Sequence, residues 1–307
     1  MSSAYRILKC LGAGSYGSVF LVKSYYKNKT YALKRISTYN LRDKDKMYLL
    51  NEIRILKYCS CPYLIKLVDI QANFTNIELI TNYVRKGDFY SIIQKRAKYF
   101  EESLIWCYFI QVCLGIKYLH NNNIIHRDLK CGNVFLDVGD HVFIGDFGTC
   151  KILTNNQELT STSIGTPYYM SPEVMNREKY SIETDIWGLG CFLFEIITFK
   201  PPFSGRNYNL LSNNIITEKF SVDINHYKKY FSDDIIDLVK KILKKKDRLS
   251  VQNILALREV EANTYLIPYL TEKSKDINNM AYKFRKVMIN SWYNIAKHFR
   301  DPALYKL

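Results

Sequence analysis

The sequence predicts an α+β fold of two lobes, a small β-rich lobe followed by a larger and mainly helical one. Residues 1–80 contain segments in which β-branched or aromatic residues alternate with polar ones, as half-buried strands do. From Asp88 onward the apolar residues recur at helical spacing instead. A chain of 307 residues is long enough to give each lobe its own core.

The first lobe is predicted to hold five strands and one helix. The strands are expected at residues 5–11, 19–24, 30–36, 64–72 and 77–81. A helix over 43–57 is indicated by leucine and isoleucine residues that recur on one face. The stretch 82–87 is the expected hinge, and we therefore place the first lobe and the start of the hinge at 1–84.

The second lobe, expected at 85–260, is predicted from two long apolar helices. One spans 103–120 and follows an acidic stretch that suits a helix start. The other spans 185–198 and is mostly apolar, which is typical of a buried helix. Residues 261–307 carry apolar residues at roughly helical spacing, so we predict a basic helical C-terminal extension. It lacks sustained heptads, and dimerisation through a coiled coil is not expected.

Composition restricts the cellular setting. Hydrophobic residues make up 48% and charged residues 24% of the chain, as in ordinary globular proteins. No apolar run approaches the ~20 residues of a membrane span, and the N-terminus lacks the apolar core of a signal peptide. The eight cysteines form no CxxC pair, which favours buried thiols in a reducing compartment. We expect a cytoplasmic location, with the nucleus or the cytoskeleton as further locations.

The chain is strongly basic, with a net charge of +15 and a pI of about 9.3. A basic balance can indicate nucleic acid or another acidic partner. The lysines are spread along the chain, however, and their tightest run is 244–246. We favour a solvated lysine-rich surface and do not expect nucleic acid as the partner. A basic binding role for the cytoskeleton, nucleic acid or an anionic membrane stays open as an addition to other functions.

A glycine-rich segment lies between the first two predicted strands. Gly12, Gly14 and Gly17 form its pattern, and Val19 follows two residues after the last glycine. Glycine lets backbone N–H groups approach a phosphate closely, because no Cβ atom intervenes. Dinucleotide-binding folds share this spacing, but there a helix follows the glycines. The strand–turn–strand context therefore favours a hairpin that covers phosphates.

Two charged residues of the first lobe are expected to pair. Strand alternation puts Ala32 and Lys34 on one face, where the small residue leaves room for a flat base and the lysine reaches phosphates. Glu52 lies three residues after Leu49, on the apolar stripe of the 43–57 helix. A lone carboxylate there would be costly to bury, so Glu52 requires a cation, and Lys34 is the natural one. Without Glu52, Lys34 would be interpreted as a surface lysine at a strand end.

Two short segments of the second lobe carry the residue types that phosphoryl transfer requires. They are His126-Arg127-Asp128-Leu129-Lys130-Cys131-Gly132-Asn133 and Asp146-Phe147-Gly148. The reaction needs metal ions to neutralise phosphate charge and a carboxylate to orient the attacking hydroxyl. Asp128 is the candidate carboxylate, and Lys130 would steady the transferred phosphate. Asn133 and Asp146 would bind the metal through oxygen atoms.

In this order, with the glycine-rich segment before them, these residues resemble the eukaryotic protein kinases over about residues 5–260. Further matches are the run 165–173, the segment 185–190 and Arg248, which matches the arginine that pairs with Glu173. Lys130 and Thr166 follow the serine/threonine kinase pattern. In detail the chain is similar to the NIMA-related kinase family in the segments 133–136, 145–146, 164–173 and 185–191. The resemblance implies a bilobal protein kinase fold and transfer of the ATP γ-phosphate to protein serine or threonine.

The resemblance also implies ATP and Mg²⁺ as cofactors. The residues implied to bind ATP are Leu11, Gly12, Gly14, Ser15, Tyr16, Gly17, Val19, Ala32, Lys34, Glu52, Thr81, Asn82, Val84 and Phe135. Among them, Thr81 corresponds to the gatekeeper, and backbone groups of Asn82 and Val84 would pair with adenine. Phe135 would form the pocket floor. Thr149, just after the Asp-Phe-Gly segment, implies a preference for threonine acceptors, unless it only fills space.

Activity is expected to be switched by phosphorylation of Thr162. This residue lies in the polar cluster 160–163 and matches the activating site of the family, four residues before Thr166. A phosphate adds about −1.5 to −2 charges, and Arg127 could pair with it and order the segment. An upstream kinase or autophosphorylation would supply the phosphate. Otherwise the cluster is only a polar loop.

Two alternatives remain open beside an active kinase. The chain could be a pseudokinase that binds ATP and acts as a scaffold, although every catalytic position is intact. Its positive charge could also serve a binding role added to catalysis. The expected partners are protein substrates with serine or threonine acceptors, and the family suggests a role in the cell cycle.

Overall fold

The computed structural model describes residues 4–14, 17–39, 41–73, 75–153 and 166–267. These residues form two compact units. The first comprises the described residues of Met1–Ser60 and Ile65–Val84, and the second comprises Cys61–Leu64 and the described residues of Arg85–Pro268. A β-sheet dominates the first unit and helices dominate the second, which confirms the predicted α+β class. The predicted extension at 261–307 lies almost wholly outside the described residues and stays a prediction.

An antiparallel sheet forms most of the first unit. Its strands are β1 (Tyr5–Gly14), β2 (Gly17–Ser24), β3 (Thr30–Ser37), β4 (Leu67–Ala72) and β5 (Asn76–Asn82), in the spatial order β1-β2-β3-β5-β4. The strand predicted to start at residue 64 begins at Leu67 instead. Leu64 forms a bridge with Ile144 and belongs to the second unit.

The two faces of this sheet carry different residues. Four buried side chains form a hydrophobic cluster on one face, namely Val22, Tyr31, Leu33 and Ile80. On the other face, Val19 lies opposite Lys34 and Ala32 lies opposite Thr81. A shift of one residue in register would exchange the two faces, so burial of the apolar cluster fixes the register. That register gathers four of the predicted ATP residues on one surface.

Helix α1 (Asp43–Tyr58) follows β3. Arg42 precedes it and donates from Nε to Oδ2 of Asp45 at 2.8 Å. Acidic residues in the first turn also suit the positive end of the helix dipole. The buried residues of α1 include Leu49, Ile53 and Glu52. Because Glu52 shares the apolar stripe, forming the helix carries a carboxylate into the interior.

Helices make up most of the second unit. They are α2 (Phe89–Lys95), α3 (Glu102–Asn121), α4 (Pro172–Met175), α5 (Glu183–Thr198), α6 (Tyr208–Ile216), α7 (Asp233–Ile242), α8 (Val251–Leu255) and α9 (Arg258–Glu261). Helix α5 is buried from Asp185 to Thr198 and packs against α3. The length and hydropathy of α3 would suit a membrane span, but 72% of that window is buried inside the protein, as in the core helix of a folded domain.

The sequence analysis did not predict five short strands that the structure shows in the described part of the second unit. They are β6 (Gly87–Asp88), β7 (Ile124–Ile125), β8 (Val134–Leu136), β9 (Val142–Ile144) and β10 (Lys151–Ile152). β6, β8 and β9 form one small sheet, and β7 pairs with β10. Two or three residues are too few to show a period of two. These strands matter because β7 and β8 flank the first catalytic segment, while β9 and β10 flank the second.

Candidate active site

Lys34 and Glu52 form an ion pair in the first unit. The Nζ atom of Lys34 lies 2.8 Å from each carboxylate oxygen of Glu52. The side chain of Glu52 is 9% exposed and that of Lys34 is 26% exposed. The helix pattern thus brings Glu52 to a cation, and the pair offsets the cost of burying a carboxylate. The contribution of this pair to ATP binding stays a prediction.

The glycine-rich hairpin requires glycine most clearly at Gly17. The φ angle of Gly17 is +144°, and a Cβ atom there would lie 2.0 Å from the carbonyl oxygen of Arg35. A side chain at this position would therefore push β2 away from β3. Gly12, in contrast, has open space around the position of a Cβ atom, so the fold itself does not demand glycine there. Ser15 and Tyr16 lie outside the described residues.

The predicted hinge residues end the first unit. Val84 is buried, and Thr81 lies opposite Ala32 in the sheet. The backbone N–H of Asn82 donates to the carbonyl of Lys66 at 3.0 Å, and Oδ1 of Asn82 accepts from the N–H of Lys66 at 2.7 Å. The N–H of Asn82 is therefore already used, and its carbonyl is the backbone group that could pair with adenine.

A buried aspartate of α5 holds the first catalytic segment. Oδ2 of Asp185 accepts from the backbone N–H of His126 at 2.8 Å and lies 2.9 Å from Nε2 of His120. Oδ1 accepts from the backbone N–H of Arg127 at 2.8 Å. Burial raises the pKa of Asp185, but the hydrogen bonds and charge of the two histidines outweigh burial and hold the pKa below its ordinary value. An ionised Asp185 thus fixes a backbone in which Arg127 has a φ of +69°.

Asp128 is the centre of a hydrogen-bonded cluster. Its Oδ2 accepts from Nζ of Lys130 at 2.6 Å and from Nδ2 of Asn133 at 3.0 Å. Its Oδ1 accepts from the backbone N–H of Thr166 at 3.1 Å and from the hydroxyl of Thr166 at 3.3 Å. Lys130 also donates to that hydroxyl. We call these four residues the Asp128 cluster. Contacts on both oxygens fix the orientation of a carboxylate that is only 9% exposed.

A backbone hydrogen bond holds Asn133 beside Asp146. The N–H of Gly145 donates to the carbonyl of Asn133 at 2.9 Å, next to the pairing of β8 with β9. Asp146 has a φ of 58° and a ψ of 71°, a left-handed conformation that is uncommon for residues other than glycine. The side-chain nitrogen of Asn133 donates to the backbone carbonyl of Asp128 at 2.7 Å. The side-chain oxygen of Asn133 is therefore the atom that can serve as a ligand.

These donors fit a magnesium ion. Mg²⁺ prefers oxygen ligands and is usually held by one or two protein side chains together with substrate phosphates. The carboxamide oxygen of Asn133 and the carboxylate of Asp146 provide such a donor set. In the described part of the chain, no group of three His, Cys, Asp or Glu side chains could hold a metal ion. Two protein ligands of this kind leave the other coordination positions of the ion to phosphate oxygens and water.

Arg127 and Thr149 tie the two catalytic segments together. Arg127 donates from Nε to the carbonyl of Thr149 at 2.6 Å and from Nη2 to the carbonyl of Cys150 at 3.2 Å. The hydroxyl of Thr149 donates to the carbonyl of His126 at 3.2 Å. Whether Thr149 also sets a preference for threonine acceptors stays a prediction. Thr162 lies outside the described residues, so its pairing with Arg127 stays a prediction.

A second buried ion pair joins α4 to the chain after α7. Arg248 donates from Nη1 to Oε1 of Glu173 at 2.7 Å and from Nη2 to Oε2 at 2.8 Å. The side chain of Arg248 is 3% exposed, and its guanidinium lies 4.9 Å from the ring centroid of Trp187. Burial raises the pKa of Glu173, but the hydrogen bonds and charge of Arg248, together with hydrogen bonds from a backbone N–H and from Ser171, outweigh burial and hold the pKa below its ordinary value. This is the pair that the kinase resemblance implied.

The predicted site residues are divided between the two units. Those on β1, β2, β3, α1 and β5 lie in the first unit, and the Asp128 cluster, Asp146 and the half-buried Phe135 lie in the second. Leu11, a predicted ATP residue, is 40% exposed. The sequence did not predict one buried polar contact near these residues, in which the hydroxyl of Tyr169 donates to Oε1 of Glu195 at 3.0 Å. The one available signal was a glutamate inside the apolar helix α5.

The fold and the site agree with the comparison with known proteins. The protein kinase domain family matches residues 5–258. The chain therefore belongs to the protein kinase family.

Its relatives define the branch of that family. The chain is 34% identical over 254 residues to the serine/threonine-protein kinase Nek1 of Mus musculus, a match that covers 82% of this chain and 21% of Nek1. It is 33% identical over 263 residues to the serine/threonine-protein kinase Nek2 of Homo sapiens, covering 82% of this chain and 58% of Nek2. It is also 33% identical over 263 residues to the G2-specific protein kinase fin1 of Schizosaccharomyces pombe, a match that covers 78% of this chain and 36% of fin1. The predicted resemblance to NIMA-related kinases is confirmed. The chain spans less than two thirds of the length of each of these relatives.

Proposed function

We propose that this chain is a serine/threonine protein kinase that transfers the γ-phosphate of ATP to hydroxyl groups of protein substrates. Protein kinases generally use ATP and Mg²⁺. The observation that carries the proposal is the Asp128 cluster, in which a nearly buried carboxylate is held between a lysine and a carboxamide. This arrangement matches the needs of a reaction that depends on positioning and on charge stabilisation.

Asp128 would orient the hydroxyl of the substrate and accept its proton. The longest contact of its Oδ1 atom is with the hydroxyl of Thr166, at 3.3 Å. An incoming serine or threonine hydroxyl can replace that contact at a small cost and point its oxygen at the phosphate. Lys130, 2.6 Å from Asp128, would place a positive charge beside the transferred group.

Asn133 and Asp146 would hold Mg²⁺ through one oxygen atom each. The ion, when bound, would neutralise charge on the nucleotide phosphates. The protein contributes the spacing of the two ligands, which the hydrogen bond from Gly145 to Asn133 fixes at the backbone. It also contributes the orientation of the Asn133 carboxamide, since the nitrogen is committed to Asp128.

ATP itself would bind on the face of the first unit that carries Lys34. Glu52 would hold the Lys34 ammonium so that it reaches the α- and β-phosphates. Val19, Ala32 and Thr81 share this face and would border the adenine. The glycines of the hairpin would let backbone N–H groups approach the phosphates.

Phosphoryl transfer to a generic basic protein, measured with radiolabelled ATP, tests the proposal. Asp128→Asn and Asp146→Ala should each abolish transfer, whereas Asp43→Asn, at a 97% exposed side chain, should leave it unchanged. If the chain binds ATP but transfers no phosphate to any protein of a substrate panel, even when Thr162 has been phosphorylated beforehand, the pseudokinase alternative is correct.

A preference for threonine acceptors and activation at Thr162 belong to the same proposal. Thr149 supports the first, because its hydroxyl is fixed against the catalytic segment. Two peptides that differ only in serine or threonine test it, and equal rates would exclude a preference.

For activation at Thr162, phosphatase treatment should lower the activity of the unaltered chain. The Thr162→Ala variant should show the same low activity without treatment. A cytoplasmic location is proposed as well, and microscopy of the tagged chain tests it.

A further inference from the structure

The buried part of α5 contains one glutamate. Glu195 is 2% exposed, and its neighbours Phe194 and Ile196 are fully buried. Burial raises the pKa of Glu195 above its ordinary value, although the thiol of Cys131 and the hydroxyl of Tyr169 lower it. Oε2 of Glu195 forms no hydrogen bond in the part of the chain that the structure describes. A carboxyl group in such a position costs free energy, and an apolar residue could fill the same space without that cost.

Glu195 holds one end of a short turn. The hydroxyl of Tyr169 donates to Oε1 of Glu195 at 3.0 Å. Tyr169 ends a single 3₁₀ turn that spans Pro167–Tyr169 and follows Thr166. The backbone N–H of Tyr169 donates to the carbonyl of Thr166 at 2.9 Å and closes this turn. The turn therefore links Thr166 to α5.

Thr166, at the other end of the turn, contacts the Asp128 cluster. Its backbone N–H donates to Oδ1 of Asp128 at 3.1 Å, and its hydroxyl lies 3.3 Å from the same oxygen. The same hydroxyl accepts from Nζ of Lys130. The place of Thr166 therefore decides how Asp128 is held on the oxygen that the substrate hydroxyl would approach.

Helix α5 thus holds both segments that meet at Asp128. Near its start, Asp185 accepts from the backbone N–H groups of His126 and Arg127. Glu195 lies ten residues further on, about 15 Å along the helix axis. The helix also packs against the turns 131–133 and 167–169. One rigid element therefore sets the distance between the first catalytic segment and Thr166.

Tyr169 is the residue through which this tie runs. Among the described residues 167–170, the side chain of Tyr169 alone forms a hydrogen bond to α5. Tyr168, its neighbour, is 43% exposed. The hydroxyl of Ser171 lies 3.0 Å from that of Thr184 in α5, but Ser171 follows the 3₁₀ turn and does not fix its position directly. Loss of the Tyr169 hydroxyl should therefore loosen the turn itself.

We infer that Glu195 and Tyr169 are positioning residues, which hold Thr166 against Asp128 and thereby fix the place of the acceptor hydroxyl. A protein that keeps a costly buried carboxyl group commonly does so for function. The two residues act through Thr166 and not on the reacting atoms. Their effect on catalysis rests on the proposed function, whereas the tie itself does not. ATP would bind to other groups, so loss of the tie should affect the protein substrate and not ATP.

Removing both partners separates a positioning role from a merely structural one. Glu195→Leu/Tyr169→Phe replaces both groups by apolar side chains of similar shape, a change that is nearly neutral for stability. This double variant should unfold at the same urea concentration as the unaltered chain. Its kcat/KM for a threonine peptide should nevertheless fall about tenfold, while KM for ATP stays unchanged. Glu195→Gln keeps an acceptor for Tyr169 and should retain transfer. Tyr265→Phe, a control at a 79% exposed side chain, should change nothing.

Amide hydrogen exchange measures the tie without any turnover. The N–H groups of Thr166 and Tyr169 are both hydrogen-bonded, so they should exchange slowly in the unaltered chain. A peptide that spans 166–171 should exchange faster in the double variant, and at the original rate in Glu195→Gln. Should the double variant not fold, Tyr169→Phe alone gives the same two measurements.

Three results would overturn the inference. Slow exchange of the 166–171 peptide in the double variant would show that Tyr169 does not hold Thr166. Unchanged kcat/KM for the peptide would show that the tie has no effect on the acceptor. A loss of transfer that follows the loss of stability from variant to variant would show a merely structural role. If the unaltered chain transfers no phosphate at all, the proposed function fails, and hydrogen exchange still decides whether Glu195 and Tyr169 hold Thr166.

Discussion

Replacing Arg248 by methionine should strongly destabilise the second unit. Its loss leaves the carboxylate of Glu173, a side chain that is 15% exposed, without a cation. Removing one partner of a buried ion pair costs about 3–5 kcal/mol. Arg248 also donates to the carbonyls of Lys244 and Glu183, and such hydrogen bonds contribute about 1 kcal/mol each. Allowing for relaxation around the vacated site, we expect the free energy of unfolding to fall by about 4 kcal/mol near neutral pH.

This cost should become smaller as the pH falls. In the unaltered chain, burial raises the pKa of Glu173, but Arg248, with smaller contributions from a backbone N–H and Ser171, brings it below its ordinary value of 4.5. A depressed folded-state pKa contributes stability that is present above the unfolded-state pKa and is lost as pH falls through the folded-state pKa. Without Arg248, burial dominates and raises the pKa of Glu173, so the carboxyl group takes up a proton at a higher pH. The stability difference should therefore narrow from about pH 7 to about pH 5.

Urea unfolding followed by tryptophan fluorescence measures this effect. Trp106 and Trp187 are both buried in the second unit, and Arg248 lies 4.9 Å from the Trp187 ring. Lys244→Met removes an exposed positive charge four residues earlier and should change stability little. The double variant Arg248→Met/Glu173→Met should recover a large part of the loss. A loss below about 1 kcal/mol, or an equal loss at both pH values, would refute the idea that an unpaired buried carboxylate is the cause.

Three further changes test the geometry of the site. Gly17→Ala places a Cβ atom 2.0 Å from a carbonyl oxygen of β3, so β2 should exchange its amide hydrogens faster, whereas Gly12→Ala should have little effect. Asp185→Asn replaces the acceptor that fixes the first catalytic segment, and kcat should fall about 10²-fold while KM for ATP stays nearly constant; a change confined to KM would contradict this. Lys34→Met removes the ammonium group that lies 2.8 Å from both carboxylate oxygens of Glu52, so mass-detected hydrogen exchange in α1 should accelerate. Lys34→Met/Glu52→Gln should restore protection of α1 without restoring ATP affinity.

The sequence predicts the parts of the site that depend on local rules. A period of 3.6 residues places Glu52 beside Leu49 and so predicts that Glu52 is buried. The structure buries both residues. The long helices α3 and α5 are predictable for the same reason, since many turns repeat one pattern. Strand alternation in β3 likewise predicts the face of the sheet on which Lys34 lies. In each case a few neighbouring residues carry the whole signal.

Other parts depend on contacts between distant segments, which no local pattern contains. Asp185 binds the backbone of His126, 59 positions away in the chain. The N–H of Asn82 donates to the carbonyl of Lys66, in the loop before β4. Only the carbonyl of Asn82 is then left to pair with adenine. The ring centroids of Tyr99 and Phe199 likewise lie 5.1 Å apart, although their segments show no common pattern. The local sequence around a backbone group or a single aromatic residue does not show whether that group contacts a distant segment.

The contacts of Arg127 limit how phosphorylation of Thr162 can act. Arg127 is not a member of the Asp128 cluster, whose residues contact one another directly. Arg127 already donates to the carbonyls of Thr149 and Cys150. These bonds use two of the five N–H donors of the guanidinium, so a phosphate on Thr162 could pair with the others through charge-assisted hydrogen bonds, which are about twice as strong as neutral ones. Such a pair would recruit the segment around Thr162 while the tie between the two catalytic segments is kept. Activation through Arg127 would therefore work by positioning the substrate-binding segment, and its effect should fall on the protein substrate more than on ATP.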